Sequence, residues 1–119
     1  MNTRIVAADR YVFTENAGTG VEKSRVADAY PGWLFSALMT NHSASTRWLQ
    51  IFDATSLPAN GAEPLVSIQV PTLSTGVFDI GHAVPIRNGI VVASSSSGPT
   101  LTVETVDSAK FLIAWKRKA

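Results

Sequence analysis

Apolar residues fall in runs of about five to nine, each ended by a cluster of glycine, proline, asparagine or serine. That punctuation predicts short strands joined by turns and leaves no room for a long helix. The first predicted strand runs from Ile5 to Phe13. The polar, glycine-bearing stretch Thr14 to Arg25 after it cannot pack a core and reads as a mobile loop. From Trp33 to Thr40 the period is two, with Trp33, Phe35, Ala37 and Met39 on one side and Leu34, Ser36, Leu38 and Thr40 on the other. Arg47 to Phe52 is the next strand and is expected to form a hairpin with it across the turn Asn41 to Thr46. The irregular stretch Asp53 to Pro64, with Pro58, Asn60-Gly61 and Pro64, reads as a crossing between sheets.

Leu65 to Val70 and Gly76 to Ile80 suggest a second hairpin. A short run opens at Ile86, Asn88-Gly89 is a strong turn signal, and Ile90 to Ser94 is β-branched and has the character of a strand buried on both faces. Leu101 and Val103 alternate with Thr100, Thr102 and Glu104 in one further strand, and Phe111, Ile113 and Trp115 alternate with Leu112, Ala114 and Lys116 in the last. The expectation is an all-β, antiparallel two-sheet sandwich or jelly roll of seven or eight short strands. Residues 1–25 would form an N-terminal strand or arm with its loop, and residues 26–119 the sandwich domain.

A chain of 119 residues suits one domain. Apolar residues make up 45% and charged residues only 16%, which excludes a disordered chain and leaves a surface rich in apolar and hydroxyl groups. The net charge of +1 provides no long-range field toward nucleic acid or an anionic membrane, so neither is expected as a partner. Without cysteine there are no disulfides, thiolate metal sites or cysteine nucleophiles. The first residues lack a continuous apolar segment and no run approaches the roughly 18 apolar residues of a membrane span. The chain is expected to be made and left soluble.

Candidate chemistry is sparse. His42 and His82 lie in separate predicted turns without HxH or HExxH spacing. Asp53 and Asp79 stand at strand ends, where aspartate accepts backbone hydrogen bonds, and with Glu63 they lack the spacing of a calcium loop. Phosphate-loop and nucleophile-elbow motifs are absent. Neither an enzymatic activity nor a cofactor is therefore expected. Trp33 and Trp115 are in phase with apolar neighbours and read as core, whereas Trp48 shares a face with Gln50 and is the candidate exposed aromatic for a glycan. Lys116-Arg117-Lys118 reads as a solvated tail.

The run Arg47-Trp48-Leu49-Gln50-Ile51-Phe52-Asp53-Ala54, followed by Leu57-Pro58-Ala59-Asn60-Gly61-Ala62-Glu63-Pro64, resembles a module of tailed-phage virion proteins. Phe78-Asp79-Ile80-Gly81 and Asn88-Gly89-Ile90-Val91-Val92-Ala93-Ser94-Ser95 continue the likeness, which spans about residues 33 to 115. The resemblance implies a virion protein made in the host cytoplasm: a capsid decoration (cement) protein, or else a tail- or fibre-associated module that binds host surface or glycan. Its partners would be the major capsid protein or other virion proteins, with symmetric self-association, a trimer being one form. Ile5, Val6, Tyr11, Val12 and Phe13 are the candidate docking arm, able to add a strand to a neighbour's sheet edge. The alternative is that they form the ordinary first strand of the sandwich.

Overall fold

The computed structural model describes the backbone of residues 10–13 and all atoms of residues 21–118. Among these, nine strands follow one another and no helix occurs: β1 Arg10–Phe13, β2 Ser24–Asp28, β3 Gly32–Asn41, β4 Arg47–Asp53, β5 Val66–Val70, β6 Thr75–Phe78, β7 Val84–Ile86, β8 Ile90–Ser95 and β9 Ala109–Arg117. They form two antiparallel sheets. One has five strands in the order β1-β9-β3-β6, with β7 also paired to β3, and the other has four in the order β2-β8-β4-β5.

The sheets face each other across one core, as the alternation predicts. β9 turns Phe111, Ile113 and Trp115 inward against Leu49 and Ile51 of β4 and Ile90 and Val92 of β8. Each such side chain contributes about 1.5–3 kcal/mol on burial. β8 is buried along its whole length, in keeping with its unbroken β-branched run.

On β3 the expected phase holds for only half the strand. Its pairing with β9 runs Leu34 to Trp115 and then Ser36 to Ala114, so Phe35 is an extra, bulged residue. A bulge inverts the parity of a strand. Leu34 therefore joins Ala37 and Met39 in the core, and Trp33, expected there, is turned outward and is 39% exposed.

The connections also differ from expectation. β3 and β4 are not a hairpin, because they lie in different sheets, and so do β5 and β6. Asn41 explains how both crossings close at one corner. It is buried, its side-chain amide donates to the carbonyls of Ser45, Val70 and Pro71, and its Oδ1 accepts from the N–H and hydroxyl of Ser43. Conversely, β4 and β5 are the paired neighbours, so residues 54–65 form a long loop within one sheet. The segment from Leu101 to Glu104 is not a strand: it makes one bridge, Val103 to Ser95, and Leu101 instead exchanges backbone hydrogen bonds with Gly61 and Ala62.

β1 is an edge strand of the same chain, with Tyr11, Val12 and Phe13 paired to Ala114, Ile113 and Leu112. Ile5, Val6 and the loop expected at 14–20 lie outside the described residues.

The turn from β5 to β6 closes with Ser74 N–H on the Pro71 carbonyl and places Leu73 at φ 55°. A leucine in this left-handed region costs about 1 kcal/mol, and its side chain, 77% exposed, recovers little by packing. Leu73→Asn is expected to raise the unfolding free energy by about 0.5–1 kcal/mol, since asparagine tolerates that conformation. A urea midpoint that is unchanged or lower would show that Leu73 makes compensating contacts.

Candidate docking surface

The outer faces of the two sheets are finished in opposite ways. On the four-stranded sheet, Phe52, Val91, Ala93 and Leu101 form a second apolar cluster with Leu57, Ala62 and Val103 packed against it. The loops that close this cluster are fastened by buried polar groups. The side-chain amide of Gln50 donates to the carbonyls of Ser97 at 3.0 Å and Gly98 at 2.9 Å, and reaches Thr100 O and Ser67 Oγ. Ser95 Oγ donates to Ser97 O and accepts from the N–H groups of Ser97 and Thr102. Asn60 Oδ1 accepts from the N–H of Val103. This face is an interior.

Trp48, the candidate exposed aromatic, is half-buried on the same sheet. A Cβ on Gly98 would stand 2.9 Å from its indole nitrogen, so the glycine backbone lies directly against the ring. That corrects the expectation of an open aromatic at Trp48.

No described segment covers the outer face of the five-stranded sheet. Register places Val77, Leu38 and Leu112 in one row across β6, β3 and β9, Thr75, Thr40 and Lys110 in the next, and Pro85, Trp33 and Lys116 in a third. Val77 is 55% exposed and Leu38 and Leu112 are half-buried. The threonine row is held by a 2.9 Å bond between the Thr40 and Thr75 hydroxyls. Exposed Leu73 and Ile80 flank β6 in the chain. Apolar side chains exposed in a row across a hydrogen-bonded sheet make a surface suited to a partner. The strand pattern set Leu38 and Leu112 outward, opposite Met39 and Phe111, but set Trp33 inward, because the bulge at Phe35 that turns Trp33 out appears only in the pairing with β9.

The titratable groups serve the scaffold. Asp53 accepts from the N–H groups of Arg87 at 3.0 Å and Asn88 at 2.8 Å. Burial pushes its carboxyl up, but these donors, Gly89 N–H and the Arg87 charge outweigh that and hold it below the ordinary value. Asp79 Oδ1 accepts from Gly81 N–H at 2.8 Å, the turn role expected of it. His42 and His82 are exposed, and no group of three metal-ligating side chains gathers among the described residues.

A polar centre that the sequence did not reveal lies where β2, β9 and the Tyr30 turn meet. Asp28, 4% exposed, receives the indole N–H of Trp115 at 2.9 Å and a two-pronged grip from Arg117, Nε at 3.0 Å and Nη2 at 2.8 Å. The guanidinium also lies 4.4 Å from the centre of the Tyr30 ring. Burial raises the Asp28 carboxyl, and the Arg117, Trp115 and Tyr30 N–H donors together bring it below its ordinary value. The C-terminal basic run is thus not a loose tail: Arg117 ends β9 and the N–H of Lys118 bonds the Pro31 carbonyl.

Comparison with protein-family models, with curated proteins and with solved structures finds no match to this chain.

Proposed function

We propose that this chain is a non-enzymatic structural protein of a tailed-phage virion, a capsid decoration protein that stabilises the particle by docking on neighbouring subunits. The observation that carries the reading is the contrast between the two outer faces. Its own loops cover one, and no described segment covers Val77, Leu38, Leu112 and Trp33 on the other. A decoration protein needs a rigid scaffold and exposed apolar area for contact, and a sandwich with a sheet face that no described segment covers provides both. The likeness of residues 33 to 115 to virion modules supplies the particle. The glycan-binding alternative rested on an exposed Trp48, and the half-buried ring against Gly98 gives it no support.

The test is cosedimentation of the chain with heads of the encoding virus assembled without it. The wild type is expected to load to a stoichiometric plateau, and Val77→Glu, a change at an exposed position, to lower the affinity at least about tenfold by placing an unpaired charge in the contact. Absence of loading by the wild type would overturn the reading. Equal loading of both proteins would remove the five-stranded sheet's outer face from it.

A further inference from the structure

We infer that the partner which covers this face presents an apolar protein segment bearing carboxylates, and that the segment seats in the cleft at the Trp33 end of the sheet. The inference rests on the docking reading and assigns the chemistry of what docks. The cleft encloses about 290 Å3 and is lined by Pro31, Trp33, Pro85, Ile86, Arg87 and Lys118. Its walls are apolar and stiff. Gly32 at its base has no space for a side chain, since a Cβ would stand 2.4 Å from the Lys116 carbonyl, so β9 and β3 are locked together there. The neighbouring Trp33 is lifted outward between Pro85 and Lys116. An exposed tryptophan held on a paired strand beside Pro85 is an anchor that loses little entropy on binding.

The rim decides the partner. Arg87 and Lys118 are exposed, Lys116 is half-buried beside Trp33, and none of the three forms an ion pair with a described residue. The two carboxylates at this end are already committed. Asp28 is held by Arg117 and Trp115, and Asp53 by the N–H groups of residues 87 and 88, with Arg87 close enough to act on it electrostatically without contact. A second copy of this chain fits poorly. Lys110 and Lys116 project from this face and none of the outward positions in its three described rows is acidic, so two faces related by a two-fold axis would bring like charges into one dry layer. Nucleic acid fits poorly too, because three cations on a chain of net charge +1 would release few counterions. An acidic apolar segment satisfies both parts of the site, with leucine-like side chains on Trp33 and the prolines and carboxylates on the cationic rim.

The experiment titrates the isotope-labelled full chain with a short peptide alternating glutamate and leucine, and with the same peptide carrying glutamine for glutamate, followed by nuclear magnetic resonance. The glutamate peptide is expected to bind at least about tenfold more tightly, with shifts concentrated at the Trp33 indole and the amides of Gly32, Ile86 and Arg87. The double variant Arg87→Gln, Lys118→Gln, altered only at exposed positions, is expected to lose that preference, and Trp33→Ala to weaken both peptides. Equal binding of the two peptides, shifts centred elsewhere, or no binding of either would overturn the inference. Heads separate this failure from failure of the docking reading. If the double variant loads like wild type, the cleft is not the contact although docking stands. If wild type fails to load while the glutamate peptide still selects the cleft, the cleft chemistry stands and the head-docking reading falls.

Discussion

Replacing Asp28 by alanine is expected to lower the unfolding free energy by about 3 kcal/mol at neutral pH, the low end for breaking a buried ion pair from one side. The low end applies because the Arg117 side chain is 44% exposed and regains water when its partner is lost. The Trp115 indole N–H, by contrast, stays buried and would be left without its acceptor. For a chain of this size the loss corresponds to a fall in Tm of about 10 °C. The same centre predicts an acid dependence. The folded carboxyl is held below its ordinary value and the unfolded one is not, so the unfolded chain takes up more protons in acid. The contribution is complete above about pH 4, the ordinary carboxylate range, and is lost as pH falls through the folded value. Asp53 acts in the same direction, so Asp28→Asn should flatten the acid limb without abolishing it. Urea unfolding of wild type, Asp28→Ala and Asp28→Asn between pH 7 and pH 3 measures both effects. A loss under about 1 kcal/mol, or an acid limb unchanged in the asparagine variant, would show that the Arg117 grip adds little.

Gln50→Leu should cost about 1–2 kcal/mol, by a different route. Leucine matches the volume but not the donors, so the carbonyls of Ser97 and Gly98 lose the amide that holds them over the sheet. Each of these two hydrogen bonds contributes about 0.5–1.5 kcal/mol, because both carbonyls keep a second donor, Ser95 Oγ on Ser97 and Ser67 Oγ on Gly98. The consequence is local as well as global. The segment from Ser96 to Glu104 should open, with faster hydrogen exchange at the Thr102 amide that bonds Ser95 Oγ, and Leu101 should leave the outer cluster. Because Gln50 lies on the other sheet from Trp33 and Val77, binding at their face should persist wherever the variant remains folded. Unchanged exchange at Thr102 would assign the loop's position to Ser95 and Asn60 instead.

The strands themselves were readable where burial is one-sided or complete along a short stretch. β9 alternates and β8 is apolar throughout, and both patterns depend only on which way neighbouring residues point. The turn role of Asp79 was readable for the same reason, since its Oδ1 accepts from the Gly81 N–H two residues on, whereas Asp53 accepts from N–H groups 34 and 35 positions away. Other features looked identical in the sequence to what they are not. A turn of five residues closes a hairpin or crosses between sheets equally well, and only the burial of Asn41 between Ser45, Val70 and Pro71 selects the crossing. The grip on Asp28 joins residues 89 positions apart, and nothing local to either marks it.

The sequence by itself therefore determined that this protein is a small all-β sandwich without cysteine and with little net charge, because composition and the two-residue period are properties of neighbouring positions. The tertiary structure alone decided which tryptophan stands exposed. The bulge at Phe35 exists only in the pairing of β3 with β9, and that one extra residue turns Trp33 out of the core and onto the sheet face that no described segment covers.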